Sequence, residues 1–145
     1  MHTGRRRTLT LLGAAGAGLL AWPAAARPHC IVTPAQTEGP FFIDTGLNRS
    51  DIRSEHGGAG VSAGLPLTLS LRVSAVTAGS CAPLPGALVE VWHCDAAGVY
   101  SGTSGVPGKR FLRGYQVTGA EGGVRFLTVY PGWYTGRATH VHVKV

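Results

Sequence analysis

Leu67-Thr68-Leu69-Ser70-Leu71-Arg72-Val73-Ser74 places an apolar side chain at every second position. Side chains of an extended strand alternate between its two faces, so this run predicts a strand with one apolar and one polar face. Four further runs follow. Ala87 to Cys94 carries Leu88, Val89, Val91 and Trp92; Phe111 to Val117 is less regular; Val124 to Val129 is short; Thr139 to Val145 alternates strictly. Turn-forming segments separate them: Gly79-Ser80-Cys81-Ala82-Pro83, Asp95-Ala96-Ala97-Gly98, Glu121-Gly122-Gly123 and Pro131-Gly132. Helical periodicity is absent after residue 26. Short strands at this spacing predict an all-β fold, an antiparallel β-sandwich forming one domain.

Ahead of the first strand the character changes. Thr33-Pro34-Ala35-Gln36-Thr37-Glu38-Gly39-Pro40-Phe41-Phe42 is bounded by prolines and ends in two aromatics, which reads as an extended N-terminal arm packed on the sandwich. Glu38 is expected to order that arm, and His56-Gly57-Gly58-Ala59-Gly60 reads as a mobile loop. Residues 1–26 have the order of an export signal. Arg5, Arg6 and Arg7 precede an apolar run from Leu9 to about Trp22, and Ala24-Ala25-Ala26 offers a small-residue cleavage site. Arg6-Arg7-Thr8-Leu9 resembles a twin-arginine signal, which implies export to the periplasm or the extracellular space. The run falls short of the roughly 20 strongly apolar residues of a membrane span, so no stable span is expected after cleavage.

Cleavage after Ala26 would remove three of the 13 basic residues and none of the 7 acids, lowering the formal charge from +6 to +3. The remaining arginines form no run and are not interleaved with aromatics, which argues against a nucleic-acid partner. Cys30, Cys81 and Cys94 are an odd set, so at least one thiol is left out of any internal bridge. A straight strand from Ala87 to Cys94 covers about 23 Å, too far for a Cys81–Cys94 bond, whose Cα atoms must lie within about 7 Å. Cys30 can bridge to either partner. The chain has no Cys-x-x-Cys pair, so a cysteine-rich zinc site has little support.

Chemistry concentrates near the end of the sequence. His140 and His142 are two apart on an expected strand, so period two turns both imidazoles to one face. Tyr134 follows the Pro131-Gly132 turn, and Tyr100 follows the turn at Asp95 to Gly98. A phenol titrates near 10, so it becomes a ligand at neutral pH only when a cation displaces its proton. Two phenols and two imidazoles suit a hard trivalent ion such as ferric iron, because two phenolates and a hydroxide neutralise its charge. The histidine pair alone also suits zinc or copper. A non-catalytic exported β-sandwich for binding is a further reading, since a fold does not define a function. Among Glu38, Asp44, Asp51, Glu55, Glu90, Asp95 and Glu121, no carboxylate has a spacing that would complete a two-histidine, one-carboxylate iron site. Asp95 is better read as a turn former.

In combination, Trp92-His93-Cys94-Asp95-Ala96-Ala97-Gly98-Val99-Tyr100 and Tyr130-Pro131-Gly132-Trp133-Tyr134, followed by Arg137-Ala138-Thr139-His140-Val141-His142, resemble the intradiol ring-cleavage dioxygenases. This is the catechol and protocatechuate family, and more narrowly its exported bacterial branch. The resemblance runs from Thr33 to Val145. It implies a prealbumin/Ig-like β-sandwich with Fe(3+) held near its rim by Tyr100, Tyr134, His140 and His142. Tyr134 matches the axial ligand that leaves when substrate binds, and Tyr100 the tyrosine that stays. Arg137 matches the arginine beside the bound substrate. The implied reaction takes a catechol-type substrate and O2 to a cis,cis-muconate-type diacid. Relatives continue past the His-x-His strand, so residues 27–145 are expected to form a domain incomplete at its C-terminal end. Its open strand edge would then invite oligomerisation.

Overall fold

A computed structural model describes residues 30–58 and 60–145. The export-signal reading of residues 1–26 and the Ala59 position of the predicted loop lie outside the described residues. The described residues contain no helix, and therefore none long and apolar enough to cross a membrane. They contain seven strands: β1 (Pro66–Arg72), β2 (Ser74–Thr77), β3 (Ser80–Pro83), β4 (Leu88–Trp92), β5 (Arg113–Val117), β6 (Gly123–Val129) and β7 (His142–Lys144).

The alternation that opened the sequence reading is visible in β1, where Leu67, Leu69 and Leu71 turn inward and Thr68, Ser70 and Arg72 face solvent. β1 pairs antiparallel with β6 from Pro66↔Val129 to Arg72↔Gly123. β4 lies between β5 and β7, antiparallel to both. The two sheets meet through Val89 and Val91 of β4, Val124 and Phe126 of β6, and Ile52, with Leu69 and Leu71 of β1 packed against them. Phe126, Ile52, Val89 and Val91 are fully buried. This is the predicted antiparallel sandwich.

Several predicted boundaries move. The segment Gly79–Pro83, read as a turn, instead contributes β3, which pairs with β2 from Ser74↔Pro83 to Thr77↔Ser80. The reversal needs only Ala78 and Gly79, both at positive φ (48° and 79°), the backbone of a two-residue hairpin loop. The run Thr139–Val145 is paired only over His142–Lys144, because β4 ends at Trp92 opposite His142 and leaves His140 and Val141 no strand to pair with. The irregularity of the Phe111–Val117 run also has a cause: Leu112 adopts φ 54°, so β5 starts only at Arg113.

The arm holds the sheets together. Leu47 O accepts from Tyr115 N (2.8 Å) and Arg49 N donates to Tyr115 O (3.0 Å), which ties the arm to β5. A few residues on, Ile52 N donates to Leu127 O (3.0 Å) and Leu127 N to Ser50 O (2.7 Å), which ties it to β6. The Arg49 guanidinium donates to the carbonyls of Arg113, Arg110 and Ser54. Glu38 orders the arm as expected, through an ion pair with Lys144 of β7 at 2.7 Å.

Cys30 is bonded to Cys81 with Cα atoms 5.6 Å apart, and Cys94 is free and buried. The bridge fastens the start of the arm to β3 and closes a loop with a sequence separation of 51. Restriction of the unfolded chain by such a loop stabilises a domain by about 2–4 kcal/mol. Cys30→Ser is expected to lower the urea midpoint accordingly, with no added effect of dithiothreitol on the variant. Wild type in dithiothreitol should match it, because both then lack the Cys30–Cys81 bond while Cys94 stays buried.

Candidate metal centre

The face of the three-stranded sheet that points away from the inter-sheet core carries the site. Cross-strand partners share a face, so the register Arg113↔Trp92↔His142 lines up three side chains across β5, β4 and β7. Trp92 lies flat against His142, with ring centroids 4.7 Å apart and 7° between planes. On its other contacts Trp92 meets Phe42 edge-on at 5.0 Å. Phe41 stacks on Tyr100 at 4.4 Å and meets Tyr134 edge-on at 5.9 Å. The arm aromatics therefore roof the cluster of Trp92, Cys94 and Tyr100.

All four predicted donors come together. Tyr100 Oη and Tyr134 Oη lie 3.2 and 3.3 Å from His140 Nε2. His142 Nε2 lies 3.2 Å from both His140 Nε2 and Tyr100 Oη. Nδ1 of His140 donates to Ala138 O at 2.5 Å, which fixes the tautomer and turns the bare Nε2 lone pair inward. That one lone pair faces three heteroatoms. Hydrogen bonds alone satisfy such a knot poorly, whereas a cation at its centre satisfies every member. Transition-metal bonds of about 2.0–2.1 Å separate neighbouring ligands by roughly 3–3.4 Å, so the spacing fits a single ion. Among the described residues no group of three or more His, Cys, Asp or Glu is placed to bind a metal. The two phenols are thus the further donors available to the histidine pair.

The two tyrosines are not equivalent. Tyr100 is 3% exposed, and burial first, then Tyr134, hold its phenol well above the ordinary range. Such a group ionises only with a cation present. Tyr134 is half-buried, nearer solvent. Arg137 lies on the exposed rim and closes a turn by donating its N–H to Tyr134 O (3.1 Å). Asp95 behaves as the turn former it was read to be: its Oδ1 accepts from the N–H groups of Ala97 and Val99, both at 2.9 Å.

His142 is lowered to about 4, by burial first and then by the charges of His140 and Arg137. Burial likewise lowers His93, which bonds Cys94 O and Thr128 Oγ1, each at 2.7 Å. Both imidazoles are therefore neutral, as ligation requires of His142. For a histidine depressed on folding, the unfolded chain binds the extra proton first, so stability is full above about 6.5 and falls as pH drops toward the folded value. The metal-free protein is expected to lose urea resistance between pH 6.5 and 4, and His142→Gln should flatten that slope. An unchanged slope in the variant would contradict the burial argument.

Sequence reasoning did not find the plates behind these ligands. Trp92 and Phe41 stood inside noted segments, but their contacts depend on cross-strand register and on the path of the arm. Neither is periodic in the sequence.

Fold and site together define a β-sandwich protein with a mixed tyrosine–histidine centre at its rim. A family model described as "Dioxygenase" matches residues 37–144. Catechol 1,2-dioxygenase 1 of Acinetobacter lwoffii is 33% identical over 109 residues, 70% of this chain and 32% of that protein. An intradiol ring-cleavage dioxygenase structure from Tetranychus urticae superposes with a TM-score of 0.67 at 36% identity, over 79% of this chain and 58% of that one. The dioxygenase domain of a dioxygenase carbohydrate-binding protein fusion from Streptomyces sp. SirexAA-E gives 0.62 at 36% identity, over 77% and 64%. The chain belongs to the intradiol ring-cleavage dioxygenase family. It spans about a third of the Acinetobacter protein and under two thirds of the two solved chains.

Proposed function

We propose that this chain cleaves a catechol-type aromatic with dioxygen at a mononuclear ferric site held by Tyr100, Tyr134, His140 and His142, giving a cis,cis-muconate-type diacid. The observation that carries the proposal is the convergence of those four donor atoms at 3.2–3.3 Å. Ferric iron, when bound, would supply the redox chemistry and the positive charge that favours ionisation of a catechol. The chain's own residues do the rest. Tyr100, buried and stacked on Phe41, is the permanent phenolate. Tyr134, nearer solvent, is the phenol placed to accept a substrate proton. The bond from His140 Nδ1 to Ala138 O leaves its Nε2 facing the site, and burial keeps His142 neutral. Arg137 supplies positive charge beside the ring as negative charge builds there. Phe41 and Phe42 keep water from the buried side.

Export belongs to the same proposal: residues 1–26 direct the chain out of the cytoplasm by the twin-arginine route, and residues 27–145 form the dioxygenase-like domain. The order of arginines, apolar run and alanines supports this. The mass of the secreted chain tests it.

The test of the metal centre is the visible spectrum of the folded chain with ferric iron. A broad tyrosinate-to-iron band that shifts on adding catechol is expected. A folded protein that stays colourless would overturn the ferric reading.

A further inference from the structure

Tyr100 and Tyr134 reach the site from two different turns, and those turns touch backbone to backbone. Asp95 O accepts N–H groups from both sides of the contact, Gly98 of its own turn at 3.1 Å and Gly132 of the other at 2.9 Å. Cys94 Sγ donates to Gly132 O at 3.5 Å from beneath. A Cβ at Gly132 would lie 3.1 Å from Asp95 O and closer still to Ala96 O. One at Gly98, where φ is 84°, would lie 2.5 Å from Trp133 O. Each turn therefore has a glycine where the other turn's backbone passes, and no side chain fits between them.

From this contact we infer that Gly98, Gly132 and Asp95 are positioning residues: they lock the two turns together and so set the distance between the phenols of Tyr100 and Tyr134. The lock matters because, among the described residues, Asp95 O–Gly132 N is the backbone hydrogen bond that joins the two turns. Tyr100 is one residue past the Asp95–Val99 hydrogen-bonded turn, and Tyr134 is two residues past Gly132. A shift at Gly132 is passed to the Tyr134 ring, now 5.8 Å from that of Tyr100. The consequence for iron rests on the proposed function; the geometry of the lock does not.

The test uses Gly132→Ala, with Gly119→Ala as control, since a Cβ at Gly119 meets nothing within 4 Å. In the metal-free chain, proton NMR is expected to give a ring-to-ring NOE between Tyr100 and Tyr134 in wild type and control, and to lose it in Gly132→Ala. Asp95→Ala, which removes the acceptor of the Ala97 and Val99 N–H groups without adding bulk, should also lose it, and Asp95→Asn should keep it. Should Gly132→Ala not fold, the Asp95 pair decides the matter. With ferric iron, Gly132→Ala should bind about 10- to 100-fold more weakly, the range for residues that orient a metal's ligands. In a Tyr134→Phe background it should cost nothing more. An undiminished NOE in Gly132→Ala, or in Asp95→Ala where the first variant is unfolded, overturns the lock. A wild type with the NOE but without iron-dependent colour overturns the ferric reading instead and leaves the lock standing.

Discussion

Tyr100→Phe is expected to abolish both the visible ferric band and ring cleavage while leaving the fold in place. The substitution removes one oxygen. The ring remains, 4.4 Å from Phe41 and within the cluster of Trp92 and Cys94. What is lost is the atom shared between the two histidines, 3.2 Å from Nε2 of each. Losing those hydrogen bonds costs the metal-free protein on the order of 0.5–1.5 kcal/mol. Under the proposed function the loss for the metal is much larger, because Tyr100 would be the buried donor whose negative charge offsets the ion's own. A ferric titration read in the visible, together with formation of the diacid followed by its absorbance, checks this. A coloured Tyr100→Phe protein turning over at the wild-type rate would remove the centre from the proposed function. Tyr134→Phe should retain a weaker band, since Tyr100 still supplies one phenolate.

Trp92→Ala is expected to be the most damaging single change to stability. Trp92 is 3% exposed and lies in the middle of the row Arg113–Trp92–His142, with Phe42 against it. Emptying a buried tryptophan site costs about 3–5 kcal/mol, against a total of roughly 5–15 kcal/mol for a domain. The same change removes the plate on which His142 lies, so iron retention should fall in whatever fraction stays folded. Trp92→Phe keeps part of the plate and should fall between. Urea midpoints for the three proteins, with iron content after gel filtration, give the comparison. A shift below about 1 kcal/mol for Trp92→Ala would mean that the site collapses around the loss, against the tight packing of Trp92 on Phe42 and His142.

Much of the site was legible before any coordinates. Residue chemistry and two motifs single out Tyr100, Tyr134, His140 and His142, and all four meet. Their roles as ligands are the proposal's content, and the spectrum tests them. Less legible were the aromatics that hold them. Trp92 was noted as part of an apolar run, yet its position opposite His142 follows from β4–β7 register. Phe41 was assigned to the arm without a target. The Cys30 bridge was narrowed by excluding Cys81–Cys94, and the choice of Cys81 over Cys94 emerged only from the packed chain. The hairpin at Ala78-Gly79 escaped because a cysteine and a proline beside it look like turn chemistry, while the pairing of Ala75 with Ala82 and Val76 with Cys81 is a property of two segments together.

Local pattern was enough for the fold class and the arm. Strand alternation, turn residues and ligand chemistry are each carried by a few adjacent side chains. Tertiary structure decided the rest: which sheet each strand joins, which cysteines bond, and which plates back the ligands. It also set how closely the Tyr100 and Tyr134 turns approach. Those outcomes depend on contacts between residues as far apart as Cys30 and Cys81, or Glu38 and Lys144. Their energies exist only once the chain has closed the loops between them.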